Sequence, residues 1–500
     1  MNYTIRNLIN NNKDENIAIT SEDNNIIKYS DLKKLIFNIS GQLAGQGIMP
    51  SNRAAIVLPN GPEMATAFLS ISSYMSAAPL NPSYKLKEYE FYLQDLMPKI
   101  VIVEKDSQNP AVEAAKNLGI EICEIKKIDN APAGIFNLYD KTANFELATE
   151  NNEALVLHTS GTTSRPKVVP LTNKNIFSSA INISNSLQLS SQDHCYNIMP
   201  LFHIHGLIAV LSSSINAGAS VYASSGFNAL KFLETANKES ITWYSGVPTM
   251  HQAILMRAKK NPKLAEELAL RFIRSSSASL PPAVFDELKK IFKTTIIEAY
   301  GMTEATHQMT SNPMPPEKQK AGFVGKPAGP EVCIMDAQGN KLDTGVDGEV
   351  CIRGDNVTNG YENNEEANKT AFINGWFRTG DQGHFDDEGY LKISGRLKEI
   401  INRGGEKVSP LEVDNILMEH EAVEQVVTFA VKDNLLGEAI GVAIVLKSGI
   451  DCNEIDIKNY ASKHLADFKI PKYIRFLEEI PKGATGKLQR IGLAEKLGLE

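Results

Sequence analysis

Through the first 330 residues, short and largely apolar runs alternate with longer stretches in which apolar side chains recur every three or four positions. The runs at 54–58, 100–103, 154–157, 219–223, 241–244, 272–274 and 296–297 have the length of strands buried on both faces. Residues 30–46, 175–186 and 282–291 carry helical spacing. That alternation predicts βαβ units, and hence mostly parallel sheets with helices on both faces. After Gly325 the texture changes. Short strands around Cys333, Val350, Phe385 and Leu391 are separated by Gly-Asn, Asp-Gly and Glu-Gly turns, which predicts a small antiparallel barrel. From Lys398 the pattern is α+β, with helices over 410–420 and 454–464 and strands near 426–431 and 439–446. A domain boundary is expected near 396–398.

A chain of 500 residues is too long for one domain at roughly 150 residues per unit. The net charge of −8 provides no broad positive field, which argues against nucleic-acid binding. Five cysteines lie far apart without Cys-x-x-Cys or Cys/His ligand spacing, so neither a disulfide framework nor a zinc module is expected. The first residues lack a basic segment followed by an apolar one. The most apolar stretch, 206–223, is interrupted by Ser212, Ser213, Ser214 and Asn216, and the ending KLGLE carries no peroxisomal or lipidation signal. The expectation is a soluble cytoplasmic protein with no membrane partner.

Candidate chemistry begins with HTSGTTSRPK at 158–167, directly after the run at 154–157. Hydroxyls, one glycine, a guanidinium and an amine within ten residues suit an oxyanion, because glycine admits close approach and backbone N–H groups form an anion nest. It is not a Walker A loop. Pro166 stands where that motif needs glycine and Val168 where it needs a magnesium-binding hydroxyl. A polar surface loop would have a similar composition.

Further segments follow in order: Tyr300-Gly-Met-Thr-Glu304, WFRTGD at 376–381, GRLK at 395–398 and PKGATGK at 481–487. Together with NPSY at 81–84 and GEVCIRG at 348–354, the set resembles the adenylate-forming superfamily of acyl-CoA synthetases, luciferases and peptide-synthetase adenylation domains, over nearly the whole chain. The resemblance implies an α/β N-terminal domain over 1–396, made of two doubly wound subdomains plus a small β-barrel, and a small mobile α+β domain over 397–500. It implies ATP, Mg²⁺ and coenzyme A as small-molecule partners. Thr159, Ser160, Gly161, Thr162, Thr163, Ser164, Lys167, Ser279, Glu298, Ala299, Tyr300, Gly301, Thr303, Asp381, Arg396 and Lys487 would then bind the nucleotide. Tyr300 would stack on adenine, Asp381 would accept the ribose hydroxyls, and Thr162 and Glu304 would serve the metal. Lys487, Thr303 and Glu304 would be catalytic. Lys398 would be the hinge, and Gly404 and Gly405 would line the pantetheine path.

Three segments carry polar groups where fatty or aromatic acids would need an apolar pocket: LFHIHG at 201–206, SSSAS at 275–279 and ATH at 305–307. His203, Ser277 and His307 would meet a second anionic group on a small diacid, since burying an uncompensated carboxylate costs several kcal/mol. With Ser164 in the first loop, these strings resemble the oxalate–CoA ligase branch, which implies oxalate as the acid. Plainer readings stand beside this one. His205 rather than His203 would be the partner, Ser277 would line the adenine pocket, and His307 would cap a helix. H-x-H on a strand would also put both imidazoles on one side as a metal pair, although no Asp, Glu or Cys accompanies it. The alternative acid is another short-chain, medium-chain or aromatic carboxylate. A stand-alone adenylation domain serving a carrier protein and a P-loop phosphotransferase are the more distant rivals. Val168 departs from the superfamily's usual glycine and stiffens the second half of the loop.

Overall fold

The computed structural model describes residues 3–22, 25–159, 166–482 and 488–499. Two sheets form the large domain. One runs in the order Val168–Thr172, Glu153–His158, Ser76–Pro79, Arg53–Val57, Ile100–Val103 and Glu121–Glu124. Its strands are parallel except for the hairpin that joins Glu153–His158 to Val168–Thr172. The other holds nine strands, with a parallel centre of Thr295–Met302, Phe272–Ser275, Trp243–Gly246, His194–Asn197 and Ser220–Ala223. Strands buried on both faces need helices above and below, and the helices Tyr29–Gly45, Pro62–Ser72, Asn173–Ser186 and Pro248–Lys260 supply part of that cover.

The helix Asn173–Ser186 starts where its sequence provides a cap. The Thr172 hydroxyl accepts from the Asn175 amide and the Asn175 side chain reaches back to Thr172. Arg53 ties the first sheet to a loop of the next layer, bonding Glu153 at 2.7 Å and also Glu362. The segment that follows is antiparallel, in the order Glu331–Met335, Gly348–Arg353, Trp376–Phe385 and Phe372–Ile373, with Leu391–Arg396 also paired to Trp376–Phe385. Among the described residues no ladder joins its first strand to Leu391–Arg396, so it is an open five-stranded sheet where turn spacing predicts a barrel.

A small C-terminal domain follows. Its sheet runs Glu406–Val408, Ile401–Arg403, Gly437–Leu446 and Val423–Asp433, with Tyr473–Phe476 parallel to Gly437–Leu446. Helices Pro410–Met418 and Glu454–His464 bury Val413, Leu417, Ile457 and Ala461 in that domain's own core. Ser409 caps the first of these helices and its hydroxyl also donates to the Ser394 carbonyl across the domain junction. No helix among the described residues is long and apolar enough to cross a membrane.

The H-x-H segment is not a strand. His203 lies in a turn and His205 opens a widened π-type helix, His205–Ser212, in which the Ser212 hydroxyl reaches the Leu207 carbonyl at 2.7 Å. Gly206 permits this entry, because a Cβ there would lie 2.4 Å from the Pro200 carbonyl oxygen. Such helices are uncommon and concentrate at functional sites. His307 does not cap a helix either. It begins the strand His307–Ser311 with a φ of 89°.

Candidate active site

The strand Thr295–Met302 sets the frame. Residues 295–298 pair in parallel with Phe272–Ser275, and the strand then runs past its neighbour's carboxyl end to pair with His307–Ser311. Ligands of open α/β sheets gather at that edge. Glu298 and Ala299 are buried there, followed by the half-buried Tyr300, Gly301 and Thr303. The Tyr300 hydroxyl donates to Asp381 Oδ2, and Arg396 Nε donates to Asp381 Oδ1 at 3.0 Å. Asp381 and Arg396 face each other as cross-strand partners. The Asp381 carboxylate is therefore held from two sides.

Glu304 follows directly, within the short turn Thr303–Ala305. Its carboxylate is buried and accepts from the Tyr361 hydroxyl at 2.8 Å. Burial raises its pKa, while Tyr361, Arg396 and Lys167 act in the opposite direction. Lys167 lies 4.2 Å from the centre of the Tyr361 ring, and its pKa is lowered by burial together with the positive charges of Lys398 and Arg396, against the pull of Glu304. Among the described residues no three His, Cys, Asp or Glu side chains cluster as a metal cage. One buried, hydroxyl-braced carboxylate beside a cationic pocket suits Mg²⁺, which is usually held by one or two carboxylates together with substrate phosphates.

Thr159 and Lys167 close the loop between them. Thr159 N donates to the Lys167 carbonyl at 2.9 Å, and Lys167 N donates to the Thr159 hydroxyl at 3.2 Å. This is a strand–loop–strand hairpin, unlike the strand–loop–helix of a Walker A motif. The expected loop residues Ser160, Gly161, Thr162, Thr163 and Ser164, and the expected catalytic Lys487, lie outside the described residues.

Beyond the nucleotide edge sits a polar cluster. His205 is fully buried. Its Nδ1 lies 3.0 Å from the Ser277 hydroxyl and its Nε2 lies 2.6 Å from the Ser245 hydroxyl. The His307 ring lies 4.9 Å from the His205 ring, centre to centre. His203 is half-buried and touches His205 through its Nδ1, which accepts the His205 amide at 3.4 Å. Thus Ser277, His205 and His307 gather, and His203 stands one step removed. Ser277 adopts a φ of 74°, and Thr306 and His307 adopt 48° and 89°. Left-handed backbone at non-glycine residues costs of order 1–3 kcal/mol each and persists where the surroundings over-determine it. Here they do. Thr306 donates to the Asn356 carbonyl at 2.7 Å, and Asn356 donates to the Ala305 and Gln308 carbonyls at 2.8 and 3.1 Å. Gly301 is required opposite, since a Cβ would lie 2.0 Å from the His307 carbonyl oxygen.

Lys398 is exposed at the domain junction. A cleft separates the two domains, lined on one side by Val247, Ala278 and Ser279 and on the other by Asp414, Leu488 and Arg490. The segment that begins at Leu488 therefore faces Val247, Ala278 and Ser279 of the large domain. Gly404 packs on Leu436 of its own domain, and a Cβ at Gly405 would meet nothing within 4 Å. This pose turns the 488–490 side of the small domain toward the cleft.

Sequence reasoning missed Arg274, Ser245, Gln308, Tyr361 and Asn356. The one legible signal was Arg274, a charge inside an otherwise apolar strand.

Two family models match the chain, AMP-binding enzyme over residues 7–362 and AMP-binding enzyme C-terminal domain over 412–487. The oxalate–CoA ligase of Arabidopsis thaliana is 45% identical over 93% of this chain and 92% of its own length. The oxalate–CoA ligase of Saccharomyces cerevisiae is 41% identical over 96% and 94%. The crystal structure of ATP-bound MatB from Rhodopseudomonas palustris superposes with a TM-score of 0.89 at 26% identity, covering 99% of each chain.

Proposed function

The chain belongs to the AMP-binding enzymes, and from that premise we propose that it is an AMP-forming acid–thiol ligase joining oxalate to coenzyme A. Oxalate and ATP give oxalyl-AMP and pyrophosphate, and the coenzyme A thiol then displaces AMP to give oxalyl-CoA. One observation carries the choice of acid. The end of the site is lined by the Ser277 hydroxyl, the His205 imidazole bonded to it, and the adjacent His307 ring. A fatty or aromatic tail would leave these groups desolvated and unmatched, whereas the far carboxylate of oxalate accepts hydrogen bonds from them.

The remaining residues fit the first half-reaction. Tyr300 offers its face to adenine, and Asp381, braced by Arg396, accepts from the ribose. Thr303 reaches the α-phosphate. Glu304 would hold Mg²⁺, a role the sequence resemblance also gives to Thr162, and the ion would offset phosphate charge as the acid attacks. Lys167 supports the phosphate loop with an ammonium held in a partly desolvated site. Lys487, in the segment that leads to Leu488 in the cleft wall, neutralises charge developing between the attacking carboxylate and the α-phosphorus. The second half-reaction needs that space for a sulfur nucleophile. A rotation at Lys398, where domain 1–396 meets domain 397–500, withdraws the lysine and brings the Gly404–Gly405 turn to the thiol's path. One cleft then serves two transition states in succession.

The test is pyrophosphate release by purified protein offered oxalate, malonate, acetate, hexanoate and coumarate in turn. Oxalate should be turned over best, and His307→Ala should lower oxalate turnover while ATP binding persists. A better substrate among the other four would sink the assignment of the acid.

A further inference from the structure

Arg274 lies in the centre of the nine-stranded sheet, fully buried, on the strand Phe272–Ser275. No carboxylate among the described residues pairs with it. Its bonds all go to neutral acceptors: Nη1 to the Ser245 hydroxyl at 3.3 Å and toward His205 Nε2 at 3.5 Å, and Nη2 to the Gln308 carbonyl oxygen at 3.1 Å. Its Nε has no hydrogen-bond partner among the described residues. Burial pulls the guanidinium down to about 9, which still leaves it charged at neutral pH. A charge taken out of water without a counter-ion is a strongly unfavourable feature unless something else in the molecule uses it.

The hydrogen bonds show what uses it. A guanidinium has donors only. Its Nη1–H groups are therefore directed at the Ser245 oxygen and at His205 Nε2. With Nε2 accepting from Arg274, the Ser245 hydroxyl donates to the same nitrogen across 2.6 Å. A donor-only guanidinium beside Nε2 requires that nitrogen to be the acceptor, so the imidazole proton resides on Nδ1. Nδ1–H then donates to the Ser277 oxygen across 3.0 Å, which leaves the Ser277 hydroxyl proton to be donated elsewhere. Every bond in the series points the same way, and bonds aligned in series polarise one another in a low-dielectric interior.

On the reading that the acid is oxalate, we propose that Arg274 is the specificity-determining positioning residue of the acid pocket. Through Ser245 and His205 it fixes Ser277 as a donor, and it supplies the positive charge that a second carboxylate requires. It does not touch the acid. A monocarboxylic acid of the same size lacks the second negative charge and gains little from this arrangement.

The experiment compares wild type with Arg274→Met, Arg274→Lys and Ser245→Ala, measuring kcat and KM separately for oxalate, acetate and ATP, and the melting temperature without acid. Wild type must first prefer oxalate. If it does not, the substrate reading fails before Arg274 is tested. Given that preference, Arg274→Met should raise KM for oxalate roughly a hundredfold, the effect of removing one member of a buried charge pair. It should change KM for ATP by less than about twofold, and the preference for oxalate over acetate should fall by at least about tenfold. Its melting temperature should equal or exceed that of wild type, because an unpaired buried charge has been replaced by an apolar group of similar length. Arg274→Lys should restore part of the oxalate affinity. Ser245→Ala keeps the charge but removes one link, and should raise oxalate KM by a smaller factor, about fivefold. It provides the answer if the methionine variant does not fold. An unchanged oxalate preference in both Arg274→Met and Ser245→Ala, or an equal loss of turnover for every acid, would overturn the assignment.

Discussion

Replacing Glu298 by glutamine tests whether the nucleotide edge of this sheet is built around an uncharged carboxyl group. Glu298 is 1% exposed, and one of its oxygens accepts from the Leu280 amide at 2.9 Å while the other has no hydrogen-bond partner among the described residues. Burial raises its pKa from 4.5 to about 8, with the Leu280 and Gly322 amides acting weakly in the other direction. An acid whose folded pKa is raised holds its proton in the native state after the unfolded chain has released it. Its contribution is fully present below about pH 4.5 and is lost as pH climbs to about 8. At 1.36 kcal/mol per unit the loss has an upper bound of about 5 kcal/mol, and relaxation around the site brings the expected figure to about 2–4 kcal/mol. Glutamine keeps the acceptor for Leu280 N and cannot ionise. The melting temperatures of wild type and Glu298→Gln should therefore be close at pH 5 and separate toward pH 8, with the variant higher. A gap that stays constant from pH 5 to pH 8 would mean that Glu298 titrates alike in the folded and unfolded chains, and the reasoning about the buried edge would be wrong.

Two further outcomes are expected. Tyr361→Phe deletes the hydroxyl that holds Glu304 at 2.8 Å, and should raise the magnesium concentration giving half-maximal pyrophosphate release by roughly tenfold; an unchanged magnesium dependence would show that Glu304 is oriented by other contacts. Lys487→Ala should slow oxalyl-AMP formation by about a hundredfold or more while leaving thioester formation from supplied oxalyl-AMP nearly intact, and equal loss of both steps would remove the role given to that lysine.

The parts of this fold that were readable in the sequence are those where one physical requirement dominates. Runs such as 54–58 and 100–103 are strands because they are buried on both faces, and the structure places strands at Arg53–Val57 and Ile100–Val103. Residues 241–244 read as a strand, but the strand is Trp243–Gly246, since its register follows the parallel ladder to Phe272–Ser275 and local composition does not. The H-x-H at 203–205 is compatible with a strand that puts both imidazoles on one side. It becomes a turn and a π-type helix because Gly206 packs onto the Pro200 carbonyl, a contact that periodicity does not encode. The motifs single out Tyr300, Asp381 and Arg396, and the hydrogen bonds among them bring three separated segments together. The acid end was only half legible. Ser277 and His307 were named, but the choice between His203 and His205 depends on the turn geometry, and Arg274 acts through neighbours that lie in three other segments.

The strained turn at 303–308 explains why the acid and nucleotide ends respond as one unit. Glu304, the carboxylate proposed to hold the metal, and His307, beside His205, are three residues apart on a segment whose backbone is pinned by Asn356, Thr306 and the Ser179 hydroxyl, which donates to the Thr306 carbonyl at 2.5 Å. Across the strand pair, the His307 carbonyl sits where any side chain at residue 301 would need to be. A shift of His307 toward a bound acid must therefore move either Glu304 or the strand that presents Tyr300. Close-packed interiors transmit such displacements instead of absorbing them. An acid of the wrong length thus weakens more than its own contacts, because it also misplaces the carboxylate and the aromatic ring on which adenylation depends.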